Sequence, residues 1–113
     1  MPKPENLMVN RILKLISQDT MTKAIKLHGS IYQEEGTPDI LIVKTATNGR
    51  VFTLMIEAKL PDEFPTPIQE YRLREWGLAG AITASVHTME GFCRLYGQVE
   101  RGELKPGYTG GWW

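Results

Sequence analysis

The sequence predicts an α/β fold, a central mixed β-sheet flanked by helices in the order α-β-β-β-α-β-α. Three observations lead there. Two apolar, strand-favouring runs, Ile40–Val43 and Val51–Ile56, stand on either side of the turn signal Asn48-Gly49 and read as a hairpin. Segments with apolar residues at helical spacing come before and after that hairpin. A run of small residues, Ala79–Val86, lies between two of those segments, the pattern of a strand reached by a crossover and laid beside the second hairpin strand.

The first helix is expected from Glu5 to Ser17, with Met8, Ile12, Leu15 and Ile16 on one apolar stripe and Pro4 at its first turn. Glu5 there is, on its own, an acid favoured by the helix dipole. A short strand follows over Lys23–Leu27, then a loop from His28 to Pro38 whose polar groups adjoin the hairpin's open end. Leu60–Pro65, with two prolines and two acids, is a loop. Thr66-Pro67 caps and opens a helix expected to reach Trp76 and stop at Gly77. Tyr71, Leu73 and Trp76 are its packing residues, while Arg72 and Arg74 are candidates for backbone-phosphate contact. His87 is a structural loop residue, Thr88 caps the last helix, and Phe92, Leu95, Tyr96 and Val99 form its inner face. From Arg101 the pattern dissolves into an aromatic tail, residues 101–113. In it Tyr108, Trp112 and Trp113 pack onto the body, clasp a second subunit or stack on bases.

A chain of 113 residues, 42% of them hydrophobic, supports one domain with one core, residues 1–113. There is no run of about 18 apolar residues to span a membrane and no signal-like start. The single Cys93 excludes an internal disulfide and reads as a small core residue, and a cytoplasmic protein is the expectation. With 13 basic and 13 acidic residues the chain is no general nucleic-acid coat, though its lysines and arginines can still form a local patch.

The register of the hairpin carries the chemistry. In an antiparallel pair the numbers of facing residues have a constant sum, and a turn centred on Asn48 sets it so that Asp39 faces Glu57, with Lys59 on the same side. A two-residue Asn-Gly turn would move Asp39 to the other face, so an odd-length loop or a bulge is predicted. Two carboxylates and an amine at the end of a sheet suit a divalent cation. Asp39, Glu57 and the backbone carbonyl of Ala58 are hard oxygen ligands for Mg²⁺ or Mn²⁺, and an ion held there lowers the pKa of a bound water. Lys59 orients or deprotonates that water and offsets charge on a phosphate. The bland alternative is that Asp39 merely starts a strand while Glu57 and Lys59 form an exposed pair at a strand end.

Pro38-Asp39 followed by Glu57-x-Lys59 resembles the signature of the PD-(D/E)xK nuclease superfamily. The surroundings narrow the likeness: Glu5 before an amphipathic helix, Lys26-x-His28-Gly29, Gly36-x-Pro38-Asp39-Ile40-Leu41, Ile56-Glu57-x-Lys59 and Gln69 in the next helix. From about Glu5 to about Val99 the chain resembles the VRR-NUC (virus-type replication-repair nuclease) domain, in particular the small stand-alone versions carried by phages. That resemblance implies a restriction-endonuclease-like core in which Glu5 joins Asp39, Glu57 and Ala58 at the metal and Gln69 supports the water or Lys59. Lys26, His28, Ser30 and Arg72 are then the expected nucleic-acid contacts. The resemblance also implies a homodimeric, Mg²⁺-dependent (or Mn²⁺-dependent) DNA endonuclease acting on four-way (Holliday) junctions. A catalytically inactive DNA-binding or dimerisation module of the same fold is the alternative, and a hydrolase of RNA or free nucleotides would use the same metal chemistry.

Overall fold

In a computed structural model the described residues are 4–27 and 34–113, with the backbone alone described at Pro4, Gly111 and Trp112. The elements run α1 (Pro4–Ile16), β1 (Thr22–Lys26), β2 (Ile40–Thr45), β3 (Val51–Ala58), α2 (Pro67–Leu78), β4 (Ile82–Val86), α3 (Met89–Glu100) and β5 (Gly107–Trp112). One sheet takes all five strands in the order β1-β2-β3-β4-β5. β1, β2 and β3 pair antiparallel, and β4 and β5 add on parallel, so the sheet is mixed. No helix among the described residues is long and apolar enough to cross a membrane.

Strand periodicity sorts the residues onto two faces. Ile40, Ile42, Leu54, Ile56, Ala58, Ile82, Ala84 and Val86 form the core side, covered by Val9, Ile12 and Ile16 of α1 and Phe92, Leu95 and Val99 of α3. α2 covers part of the other face, where the Thr83 hydroxyl donates to the Leu73 carbonyl at 2.7 Å. The stripe of α1 is therefore rotated from the expected one: Val9 is buried and Leu15 is 38% exposed.

Between β2 and β3 the chain makes a three-residue loop. Ala46 N–H donates to the Arg50 carbonyl at 2.8 Å, Gly49 N–H donates to the Ala46 carbonyl at 2.9 Å, and Gly49 takes φ +82°. This is the odd-length loop that the register requires, closed by a glycine in the left-handed region.

At the loop end of β2, Lys44 is 1% exposed. Its ammonium donates to Asp19 at 2.9 Å, pairs with Glu100 and lies 4.3 Å from the centre of the Tyr96 ring. The Tyr96 hydroxyl also donates to Asp19 at 2.6 Å. Hydrogen bonds from Tyr96 and Lys44 hold the Asp19 carboxyl well below the usual range, and the two carboxylates raise Lys44 against its burial. The network joins the turn after α1 to β2 and the end of α3.

Four expectations need correction. α2 continues past Gly77 to Leu78, and Ala79 caps it, so β4 starts only at Ile82. Gly77 stays helical because its missing side chain leaves room for β5; a Cβ there would lie 2.5 Å from Tyr108 N. Tyr71 and Trp76 are 56% and 40% exposed, since α2 turns only Leu73 and Gly77 fully inward. Cys93 is exposed on the outer side of α3, not a core residue. The supposed tail contains a fifth strand: Gly107 and Tyr108 pair with Ile82 and Thr83, and after a register shift Trp112 pairs with Ser85. Arg74 stacks over the Tyr108 ring and Arg94 over the Trp113 ring, and Trp113 packs against the core, so these two aromatics belong to the body.

Candidate active site

The open end of the hairpin brings the acids together through backbone pairing. β2 and β3 are in a register in which Ile40 faces Ile56, which sets Asp39 opposite Glu57 one step further. Asp39 N–H donates to the Ile56 carbonyl at 2.9 Å, Leu27 N–H donates to the Asp39 carbonyl at 2.8 Å, and Ala58 N–H donates to Asp39 Oδ2 at 2.8 Å. Gly36 prepares the entry to the strand. It takes φ +82°, and a Cβ there would lie 2.9 Å from the Ile68 carbonyl oxygen, so only glycine lets the 36–38 segment lie against α2.

Glu57 is 3% exposed and Lys59 7%. Burial, then the neighbouring Asp39 charge, pushes the Glu57 carboxyl up to about 9. Burial also raises Asp39, opposed by the Ala58 N–H bond, the Lys59 charge and a hydrogen bond from Glu57. Among the described residues Glu57 Oε2 is buried with no hydrogen-bond partner. A buried carboxylate oxygen left bare is costly and asks for a cation or a proton.

Glu5, at the start of α1, belongs to the same electrostatic group. Its pKa is raised by burial and by Glu63, and Lys59 and Asp39 act on it directly. Glu63 is a member that the sequence reading left as an ordinary loop acid. Its Oε1 accepts from Leu60 N–H at 2.9 Å, and that bond, more than any charge, lowers its pKa. The only cue for it in the sequence is its place four residues after Lys59.

Beside Glu57 on the next strand, Ser85 is buried, and its hydroxyl lies 3.2 Å from His87 Nε2. His87 Nδ1 is 3.0 Å from the Leu60 carbonyl, to which it donates. His87 thereby ties β4 to the turn that follows Lys59.

The other predicted residues fall differently. Lys26 ends β1 opposite Ile40 and its charge acts on Asp39. Gln69 closes a capping box: its Oε1 accepts from Thr66 N–H at 2.9 Å while its own N–H donates to Thr66 Oγ1. Its side-chain oxygen is therefore taken by the helix cap, and no hydrogen bond joins it to Lys59 or the acids among the described residues. Arg72 is engaged with Glu34 at 2.9 Å, Glu75 at 3.2 Å and the Glu35 carbonyl at 3.0 Å, which ties the 34–35 segment to α2. His28 and Ser30 lie outside the described residues.

Among the described residues no group of three or more His, Cys, Asp or Glu side chains is drawn closely enough to hold a metal ion as it stands. Two facing carboxylates, one with a bare oxygen among the described residues, are hard oxygen donors of the kind Mg²⁺ accepts alongside waters.

Compared with protein-family models, curated proteins and solved structures, the chain matches none. The functional reading therefore rests on the chemistry of the site and on the motif.

Proposed function

We propose that the chain is a Mg²⁺-dependent endonuclease of VRR-NUC type that hydrolyses phosphodiester bonds in DNA, with four-way junctions as the substrate and a homodimer as the working unit. One observation carries the reading: Asp39 and Glu57 face each other across β2 and β3 with Lys59 two residues on, and Glu57 presents a buried, unpartnered oxygen. A sheet that needed only to fold has no use for that oxygen, whose burial is unfavourable without a cation or a proton.

Asp39, Glu57 and the Ala58 carbonyl would hold the ion, with Glu5 near enough electrostatically to contribute. When bound, Mg²⁺ supplies Lewis acidity toward a phosphate oxygen and activates water. The protein's own groups do the rest. Ala58 N–H fixes the Asp39 carboxylate, and the sheet fixes the distance between Asp39 and Glu57. Lys59, which makes no ion pair among the described residues, is left to meet the phosphate and offset the charge that develops as water attacks and the ester oxygen leaves. Its backbone N–H is held by the Val86 carbonyl at 2.9 Å, so the lysine starts from a fixed point on the sheet.

The test is incubation of purified protein with labelled four-way junction and linear duplex, in Mg²⁺, in Mn²⁺ and in chelator, beside Asp39→Ala. Metal-dependent cutting, reduced about 100-fold or more in the variant, is the expected result. Cutting by Asp39→Ala at the wild-type rate would sink the assignment. DNA binding without cutting under any condition would instead make the chain an inactive DNA-binding module.

A further inference from the structure

Next to the acids, with Lys59 in its wall, lies a cleft of about 300 Å³. Leu7, Met8 and Arg11 of α1, Lys59 and Leu60 after β3, and His87, Thr88 and Met89 leading into α3 line it. Leu7, Met8 and Arg11 share a helix face because they are three and four residues apart. Leu7, Met8, Leu60 and Met89 give the cleft its apolar surface, and Arg11, Lys59, His87 and Thr88 are its polar members.

Arg11 is distinctive. Arg50 stacks on Phe52, Arg72 and Arg74 pair with acids, Arg94 stacks on Trp113 and Arg101 pairs with Glu103. Among the described residues Arg11 is the one arginine engaged in neither an ion pair nor a ring contact. Lys59 already acts on Glu5, Asp39 and Glu63, whereas Arg11 is exposed and makes no ion pair among the described residues. A ligand that answers both features carries an anion for Arg11 and a flat, weakly polar body for Leu7, Met8 and Met89.

We infer that this cleft is a nucleotide subsite, taking one unstacked nucleotide beside the scissile phosphate with its phosphate on Arg11 and its base between the leucine and methionine side chains. The inference rests on the nuclease reading for its substrate. The volume is at the small end of ligand pockets, enough for one nucleotide and not for paired bases. Methionine accepts a ring of any identity through its polarisable sulfur, so the subsite reads the state of the base and not its sequence. Substrates in which a base leaves the stack at low cost, at a branch, a mismatch or an end, are then favoured over continuous duplex.

The experiment has two arms. In chelator, protein labelled with ¹³C in the methionine methyl groups is titrated with deoxyadenosine monophosphate, with deoxyadenosine and with inorganic phosphate. The Met8 and Met89 methyl signals should move with the monophosphate, while those of Met21 and Met55 stay. Arg11→Ala should weaken that binding about tenfold, and Arg11→Lys should recover only part of it. In Mg²⁺, cutting of junction by wild type and Asp39→Ala tests the nuclease reading separately. Unmoved Met8 and Met89 signals, or equal binding by Arg11→Ala, overturn the subsite even if Asp39-dependent cutting persists. Loss of the nuclease reading with Arg11-dependent methyl shifts intact would leave a nucleotide-binding cleft on a protein that does not cut.

Discussion

Glu57 is the residue on which the site turns, and its cost is measurable. A carboxyl of ordinary pKa 4.5 is raised to about 9 in the folded chain, mainly by burial. Between those values the folded protein holds a proton that the unfolded chain has released, so stability falls as pH rises through that window and levels off above it. In chelator the wild-type Tm should therefore drop from pH 5 to pH 9 by about 4 °C or more. Glu57→Gln removes the ionisation but keeps the shape, and its Tm should change much less with pH and exceed that of wild type at pH 9. Mg²⁺ should raise the wild-type Tm at pH 8 and leave that of the variant nearly unchanged. A wild-type Tm that stays level across this range would mean that Glu57 ionises normally in its place. Asp19 works in the opposite sense: its pKa is depressed, so the stability it adds is present above pH 4 and is lost as pH falls below.

At the scale of elements, β5 depends on two helices that give way to it. A Cβ on Gly77 would meet the Tyr108 backbone, and one on Gly91 would run into the backbone of Trp113. Gly97, in the same helix as Gly91, faces only the flexible end of the Arg101 side chain at 3.1 Å. Alanine favours a helix over glycine by about 1 kcal/mol, so propensity alone predicts that all three alanine variants gain stability. Packing predicts a split. Gly77→Ala and Gly91→Ala should lose about 1–3 kcal/mol in urea melts, and Gly97→Ala should be neutral or up to about 1 kcal/mol more stable. Equal effects at Gly91 and Gly97 would show that Trp113 does not lie against α3. Since the Trp113 carbonyl accepts from His87 N–H, and His87 holds the turn after Lys59, displacement of β5 should also reach the candidate site.

The whole molecule is small, with a Cα radius of gyration of 13.1 Å and a mass of 12.8 kDa. Its formal charge of zero leaves little long-range attraction for the proposed DNA substrate, so the proposed reading puts weight on local contacts such as that of Arg11 and on the proposed second copy of the site. The proposed homodimer predicts a sedimenting species of about twice the chain mass at micromolar concentration. Mixed with Asp39→Ala chains, it should yield junctions nicked in one strand where wild type cuts two. A single species of the chain mass, with mixing that only dilutes activity, would overturn the dimer and leave the chemistry of one site in place.

Much of this protein is legible without its structure because the deciding forces act over a few residues. The Asn48-Gly49 signal places the turn, and setting Asp39 against Glu57 calls for an odd-length loop or a bulge there, which the three-residue loop supplies. The caps at Thr66 and Thr88 are equally local, each a hydroxyl accepting an N–H three residues on. Glycine-rich residues 107–112, by contrast, have no preference of their own for a strand. They become one because β4 offers an unpaired edge and because Gly77 and Gly91 leave space on either side. Which turn of α1 faces inward, and so whether Leu15 or Val9 is buried, depends on how the helix rolls against the sheet. The same roll puts Arg11 at a cleft beside Lys59, and the fold of 60–63 brings Glu63 toward Glu5. The sequence by itself determined the hairpin and its acid pair; the tertiary structure decided the fifth strand, the buried Lys44 network and the cleft, because those come from contacts between segments far apart in the chain.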